Sequence, residues 1–228
     1  MTQAEFDPVL RTLLNAIEPH VVFDGWSQVA FDAAVADAGL TAEAARAVCP
    51  RGAIDLAVAY HRAGDARMVE RMAAADLSQM RYSEKVAHAI WLRLEDADRE
   101  IVRRGTTLFA LPHHAAEGSG LIWGTADAIW NALGDTSDDV NWYSKRVTLS
   151  AVYGSVVLYW LGDETYGEAT KEFIDRRIAD VMRFEKVKAS VRKNPAFRPL
   201  VAGLDRLLGG IKAPKAAVRD DLPGRWVE

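Results

Sequence analysis

The sequence predicts an all-α protein, on three observations. Apolar residues recur at three- and four-residue steps in nearly every segment, as they do between Val9 and Ile17. No stretch of useful length alternates apolar and polar residues, as a half-buried strand would. The chain has 228 residues, of which 50% are hydrophobic and 26% charged, a profile typical of a globular protein with a sizeable core. We therefore expect a bundle of helices without a β-sheet.

Capping residues, glycines and prolines mark the predicted helix ends. At the front of the chain they are Pro8 at the start of the first helix, Pro19 and Gly25 as its breaks, Ser27 and Gly39 around the second helix, and Thr41 before a short third. Later helices are predicted from residue 54 into the seventies, from residue 83 to 94, and around 98–111, 119–133, 138–161 and 168–190. Turns are expected at 112–120, 134–137 and 162–167. The most apolar stretch, 147–161, is shorter than the roughly 20 residues of a bilayer span and is interpreted as a buried helix.

Charge and cysteine content exclude several classes of protein. The net charge of −4 disfavours bulk binding of nucleic acid. A single cysteine, Cys49, allows neither an internal disulfide nor a cysteine-based metal cluster, and this fits a reducing compartment. The first residues lack the basic and apolar regions of a signal peptide and the arginine bias of a transit peptide.

No pattern of catalytic residues stands out. Glu84 and His88 are four apart and lack the second pair that a di-iron bundle needs. His113 and His114 are adjacent in a turn, and we interpret them as a solvated loop rather than metal ligands. Nothing arranges a nucleophile, a base and an orienting group. We expect no catalysis, no cofactor and no metal.

Residues 29–41 resemble the helix-turn-helix of TetR-type regulators, with Gly39 in the turn. A DNA reader needs a basic second helix, whereas 41–48 contains one arginine, Arg46. Residues 1–60 hold eight acidic and three basic side chains, which repel a polyanion. We expect the helix-turn-helix shape without nucleic-acid binding, and a TetR-like DNA-binding regulator with an apolar ligand pocket remains the alternative function.

The region 127–160 is the most distinctive. Asp139, Trp142, Tyr143 and Arg146 follow the i, i+3, i+4, i+7 spacing of one helix face, and Thr136 or Ser137 can cap that helix. Trp, Tyr and Arg are enriched at interface hot spots. The spacing fits two interpretations equally well. One is a protein interface, and the other is a core tryptophan beside an intrahelical Asp139–Arg146 pair.

The run 134–146, Gly-Asp-Thr-Ser-Asp-Asp-Val-Asn-Trp-Tyr-Ser-Lys-Arg, followed by Val152-Tyr153, resembles the signature of the ubiquinone-biosynthesis lipid-binding family, the ninth of the coenzyme Q series. Further matches are at 25–27, 50–56, 127–130 and 173–178, and the chain departs from the family pattern at His113-His114. The resemblance implies a TetR-like helical bundle with a degenerate N-terminal helix-turn-helix and a larger C-terminal lipid-binding portion. It also implies a homodimer that binds isoprenoid lipid or phospholipid. The implied partner is the di-iron hydroxylase that acts on demethoxyubiquinone, docked at Asp139, Asn141, Trp142, Tyr143 and Arg146.

Large apolar residues on consecutive helices are the candidates for lining a lipid cavity, since an isoprenoid tail needs only apolar walls. They are Trp91, Leu94, Leu108, Leu111, Ile129, Trp130, Val152, Val156, Trp160 and Phe173. Taken one at a time, each residue fits an ordinary filled core better than a cavity wall, and only the resemblance favours the cavity.

A basic, amphipathic segment follows near the C-terminus. Its apolar stripe is Phe197, Leu200, Val201, Leu204, Leu207, Leu208 and Ile211, and eight basic residues against one acid lie between 186 and 215. This pattern is typical of a helix lying in the membrane interface, with docking on the protein's own core or on a dimer mate as the alternative.

These observations predict a non-enzymatic accessory protein that presents a hydrophobic quinone precursor to a membrane-associated hydroxylase. The expected divisions are 1–60, the helix-turn-helix-like helices; 61–190, the lipid- and partner-binding domain; 191–213, the membrane-contact helix; and 214–228, a disordered tail. Without a presequence, the resemblance implies a bacterial, cytoplasmic member at the inner-membrane face.

Overall fold

The computed structural model describes residues 7–193 and 210–214. This part of the chain forms nine α-helices and no strand, so the all-α prediction is confirmed. The helices are α1 Pro8–Asp24, α2 Gln28–Asp37, α3 Ala42–Val48, α4 Ala53–Ala74, α5 Tyr82–Glu95, α6 Arg99–Phe109, α7 Ala115–Ala132, α8 Val140–Leu161 and α9 Glu168–Lys193.

The first three helices form the expected helix-turn-helix shape. Ser27 Oγ accepts a hydrogen bond from the Ala30 amide at the start of α2, and Gly39 takes a φ of +64° where the chain reverses. The predicted break at Pro19 was wrong, because α1 continues to Gly25. A proline removes one hydrogen bond from the helix ladder and its ring crowds the carbonyl four residues earlier, but here buried Ile17 and Val21 hold the helix on either side of it.

Two hydrophobic clusters form the core. The first joins α1, α2 and α3 to the start of α4, with Leu13, Phe31 and Leu56 buried inside it. The second joins the end of α4 to α5, α7, α8 and α9, around Ile90 and Val156. The boundary predicted between residues 60 and 61 lies inside α4, so one continuous helix contributes to both clusters.

The turn after α6 is shorter than predicted. α7 begins at Ala115, so Gly118 and Gly120 lie in the helix and not in a loop. A Cβ at Gly118 would lie 2.7 Å from Cβ of Phe109, and only glycine therefore permits this approach of α7 to α6. The cap of α8 also differs from the expectation, since the side chain of Asp139, and not that of Thr136 or Ser137, accepts from the Asn141 amide at 2.8 Å.

The apolar stretch 147–161 is buried on one face only. Leu149, Val156 and Trp160 point into the second cluster, whereas Val147 is 57% and Leu158 63% exposed. Within the described residues, no helix combines the length and the apolar content that crossing a bilayer requires.

The C-terminal residues that the structure describes return to the start of α8. The Ala213 amide donates to the Asp138 carbonyl at 2.8 Å, and residues 211–214 are not helical. Assigning Ile211 to an amphipathic helix was therefore wrong, although its side chain is 40% exposed. The tail after residue 214 lies outside the described residues. So do the other proposed membrane-contact residues, which are Phe197, Leu200, Val201, Leu204, Leu207 and Leu208.

Candidate functional site

An apolar cavity of about 380 Å³ lies between α4, α5, α6, α7 and α8. Trp26, in the turn between α1 and α2, contributes to its wall. The volume is in the range of small-molecule binding sites. The remaining lining residues are Ala57, Tyr60, His61, Arg93, Leu94, Ile101, Val102, Gly105, Thr106, Phe109, Ala110, Ala115, Gly118, Ser119, Leu121, Ile122, Tyr153, Gly154, Val157 and Leu158.

Glycines on two helices leave room for this cavity. A Cβ at Gly105 of α6 would meet only Nε1 of Trp26 within 4 Å, at 3.6 Å. A Cβ at Gly154 of α8 would meet only Cδ1 of Ile122, at 3.8 Å. Because neither position carries a side chain, the space between these helices is not filled.

The structure places one of the ten residues predicted to bind lipid, Leu94, in the cavity wall. The others belong elsewhere, so their assignment to the cavity was wrong. Large side chains on a helix fill the contacts between helices, whereas a cavity forms where side chains are small. The second cluster buries Ile129, Val152, Val156 and Trp160, and packed against it are Trp91, Trp130 and Phe173. Leu108 packs against the first cluster, and Leu111 is 43% exposed.

A buried polar cluster lies on one wall of the cavity. Nε of Arg93 donates to Oδ1 of Asp65 at 2.6 Å, and Oγ1 of Thr125 donates to the same oxygen at 2.9 Å. Nε2 of His61 lies 2.9 Å from Oγ1 of Thr125, and Nη2 of Arg93 donates to the His61 carbonyl at 3.0 Å. His61, Arg93 and Tyr153 all line the cavity. The cluster brings one acid and one arginine together in the interior.

Burial controls ionisation in this cluster. Burial lowers the pKa of His61 to about 4, so its imidazole is neutral at pH 7. Burial also raises the pKa of Tyr153, whose phenol stays protonated. Asp65 balances the charge of Arg93, and the cluster carries no net charge near neutral pH.

A second feature is an aromatic patch formed by Trp123, Trp142 and Tyr143. The ring centroids of Trp142 and Tyr143 are 4.8 Å apart, and Trp123 of α7 lies 5.9 Å from Trp142 and 6.5 Å from Tyr143. All three side chains are half-buried, while Asn141 and Asp139 beside them are exposed. The Tyr143 hydroxyl donates to the Lys212 carbonyl at 3.4 Å, so the C-terminal residues lie beside the patch.

Arg146 does not lie on the accessible surface with these rings. It is 1% exposed, which corrects its assignment to a partner-binding face. The predicted alternative, an Asp139–Arg146 pair, was wrong too. Instead, Nε of Arg146 donates to Asp127 at 2.5 Å, and Nη1 of Arg146 donates to Asp135 at 3.1 Å.

Asp135 ties the loop before α8 to this arginine. Burial raises the pKa of Asp135, but hydrogen bonds from Lys145, Ser137 and Arg146 outweigh that effect and hold the pKa at about 2. The carboxylate is therefore charged at any physiological pH. The hydrogen bonds of Asp135 thus tie the loop before α8 to Lys145 and Arg146 of that helix.

Sequence reasoning missed Trp123 in the patch and Trp26, Tyr60 and His61 in the cavity. Trp123 is 19 residues before Trp142 in the chain, so no helical spacing relates the two. The glycines at 105, 118 and 154 are the signal that marks the cavity walls, because each lies within a helix where glycine is otherwise unfavourable.

A model of a known protein family matches part of the second half of the chain. Residues 115–185 match the COQ9 family model. The matched residues comprise α7, α8 and most of α9, with the aromatic patch and part of the cavity wall. The resemblance to the ninth coenzyme Q family is confirmed over these residues.

The relatives are named ubiquinone biosynthesis proteins, mitochondrial. The probable coq9 of Dictyostelium discoideum is 33% identical over 120 residues, which are 51% of this chain and 39% of that protein. Human COQ9 is 30% identical over 102 residues, 44% of this chain and 31% of that protein. Drosophila melanogaster COQ9 is 25% identical over 190 residues, 80% of this chain and 58% of that protein. The chain thus spans about a third of the length of the first two relatives.

A solved structure confirms the TetR-like fold. The TetR transcriptional regulator from Nitrosomonas europaea superposes with a TM-score of 0.63 at 18% identity, over 76% of this chain and 97% of that one. At this identity the likeness concerns the fold alone.

Proposed function

We propose that this chain acts in ubiquinone biosynthesis as a non-enzymatic accessory protein. It binds an isoprenoid lipid or a phospholipid in the cavity and presents it to the di-iron hydroxylase that acts on demethoxyubiquinone. The names of the COQ9 relatives support the pathway. The cavity and the aromatic patch support the two parts of the role, ligand binding and partner docking.

The observation that carries the proposal is the cavity of about 380 Å³ with mostly apolar walls. A well-packed domain of this size contains few voids larger than a water molecule. An apolar space that is built by glycines and aromatic side chains suits the hydrocarbon of a lipid, which offers no polar group.

The aromatic patch is the proposed docking surface for the hydroxylase. Trp123, Trp142 and Tyr143 form one cluster of rings, with Asn141 and Asp139 exposed at its edge. Aromatic centres with polar rims are the usual anatomy of a protein interface. Arg146 supports the patch from inside and does not contact the partner.

The proposal includes a homodimer that is peripheral to the inner membrane of a bacterium. Exposed apolar side chains on α8 and α9, among them Val147, Leu158 and Phe184, are available for contact with a second copy. Sedimentation equilibrium of the purified chain tests the dimer, and a monomer at micromolar concentration contradicts it.

Lipid extraction followed by mass spectrometry tests the binding function. Gly154→Leu places a side chain in the cavity, and Gly124→Leu is the matched control, because a Cβ at Gly124 meets no atom within 4 Å and Gly124 does not line the cavity. We expect isoprenoid or phospholipid in extracts of the native protein and of Gly124→Leu, and much less from Gly154→Leu. A lipid-free extract of the native protein overturns the proposal.

A further inference from the structure

The cavity wall carries hydrogen-bond donors that the protein itself does not use. Arg93 is 6% exposed and lines the cavity. Its Nε donates to Asp65 and its Nη2 to the His61 carbonyl, while its Nη1 takes part in no hydrogen bond within the described residues. A guanidinium has five N–H donors, so these two hydrogen bonds leave others available to a ligand. Donors of Arg93 thus remain free at the wall.

Trp26 provides a second free donor in the same cavity. Its side chain is buried, and its indole Nε1 has no hydrogen-bond partner in the described part of the chain. The space above Gly105 reaches this nitrogen, since a Cβ there would meet only Nε1 within 4 Å. Tyr60 lines the same cavity, and its ring lies 5.8 Å from that of Trp26.

The charge balance of the wall selects the kind of ligand. Asp65 already neutralises Arg93 at 2.6 Å, and burial keeps His61 neutral. An anionic head would lose its hydration and find no unpaired cation in this cluster, which makes its burial unfavourable. An uncharged head with acceptor oxygens would satisfy the free donors without that penalty.

We propose that Arg93 and Trp26 donate hydrogen bonds to carbonyl oxygens of an uncharged ligand head, while the apolar tail fills the rest of the cavity. A quinone ring and a glyceride ester share this chemistry. The inference rests on the proposed lipid-binding function and specifies the head group that the cavity selects.

Titration of the full chain with four ligands that carry similar alkyl chains tests the proposal. The ligands are decylubiquinone, monodecanoin, n-decylbenzene and dodecyl phosphate, and the readout is isothermal titration calorimetry. We expect at least one carbonyl ligand to bind roughly five- to tenfold more tightly than n-decylbenzene, as one or two net hydrogen bonds allow, and dodecyl phosphate to bind more weakly than that ligand. The tighter of the two carbonyl ligands identifies the source of the head.

Trp26→Phe removes the indole N–H and keeps an aromatic ring against Tyr60. We expect it to weaken binding of the preferred carbonyl ligand about fivefold and to leave n-decylbenzene unchanged. Trp130→Phe is the matched control, because Nε1 of Trp130 is also buried without a partner but the residue does not line the cavity. Its affinities should equal those of the native protein.

A double variant, Asp65→Leu with Arg93→Met, removes both members of the ion pair together, so that neither charge is left buried alone. We expect its preference for carbonyl ligands over n-decylbenzene to disappear. Circular dichroism establishes whether it folds, and if it does not, Trp26→Phe decides the outcome.

Equal affinities of the native protein for carbonyl ligands and n-decylbenzene overturn the inference but leave the lipid cavity standing. Tightest binding of dodecyl phosphate also overturns it. Absence of binding by all four ligands overturns the proposed function as well.

Discussion

The guanidinium carbon of Arg146 lies 3.9 Å from the centroid of the Trp142 ring, one turn away on α8. The same buried guanidinium donates to Asp127, Asp135 and the Trp142 carbonyl. A cation that is fixed by two carboxylates therefore supports the central ring of the aromatic patch from inside, through a cation–π contact. The geometry of the patch therefore depends on an arginine that is itself 1% exposed.

Replacing Arg146 with Ala is expected to destabilise the fold. The change leaves Asp135, whose side chain is 2% exposed, with Lys145 as its one ionic partner among residues 7–193 and 210–214. Breaking a buried pair in this way costs about 3–5 kcal/mol of unfolding free energy. Urea denaturation measures the loss. Arg176→Ala is the control, since its exposed pair with Glu172 is worth less than about 1 kcal/mol; equal losses for the two variants would contradict the prediction.

Truncation of the aromatic patch is expected to weaken capture of the hydroxylase without unfolding the chain. Trp142→Ala and Tyr143→Ala each remove a half-buried ring, and hot-spot truncation costs about 2 kcal/mol or more of binding free energy, near 30-fold in Kd. Surface plasmon resonance with the purified hydroxylase measures the change. Phe23→Ala, at a ring that is 81% exposed and remote in sequence, serves as the control. Unchanged Kd values for both patch variants would remove the docking surface from the proposal.

Stability is expected to fall in acid because of Asp135. Its pKa is about 2 in the folded chain against an ordinary 3.8, so the folded state binds this proton less readily than the unfolded chain does. The resulting stabilisation is fully present above pH 4 and is lost as the pH falls towards 2. A pKa difference of this size corresponds to roughly 2 kcal/mol. Unfolding free energies at pH 5 and 2.5 should differ less for Asp135→Asn than for the native chain, and an identical acid-induced loss would refute the assignment.

Two glycines inside helices are expected to respond in opposite directions to alanine. A Cβ at Gly64 would lie 2.6 Å from Cζ of Arg93, which pairing with Asp65 prevents from moving aside, so Gly64→Ala should cost about 1–3 kcal/mol. A Cβ at Gly124 meets nothing within 4 Å, so Gly124→Ala should gain about 0.5–1 kcal/mol from backbone entropy. Thermal melts of the two variants measure both effects. Shifts of the same sign would show that Arg93 does not restrict Gly64.

The local features of this chain could be predicted from the sequence. The order of the helices, the cap at Ser27 and the turn at Gly39 depend on interactions within a few residues, and the structure contains them. The structure also brings the rings of Trp142 and Tyr143 together, with centroids 4.8 Å apart, as expected from placing both on one face of α8. Such features depend on side-chain periodicity and on backbone donors near in sequence.

The candidate sites were decided by packing between distant segments. Which face of α8 is buried determined that Arg146 points inward to Asp127 and Asp135. Sequence spacing had left an interface and a core position equally open, and the family resemblance had assigned Arg146 to the partner-binding surface. The cavity arises where glycines of α6 and α8 leave space between helices, and the large side chains that suggested a lipid site mostly belong to the neighbouring core instead. Helix periodicity is a local property, whereas the volume left between helices depends on all of them at once, and only the tertiary structure determines it.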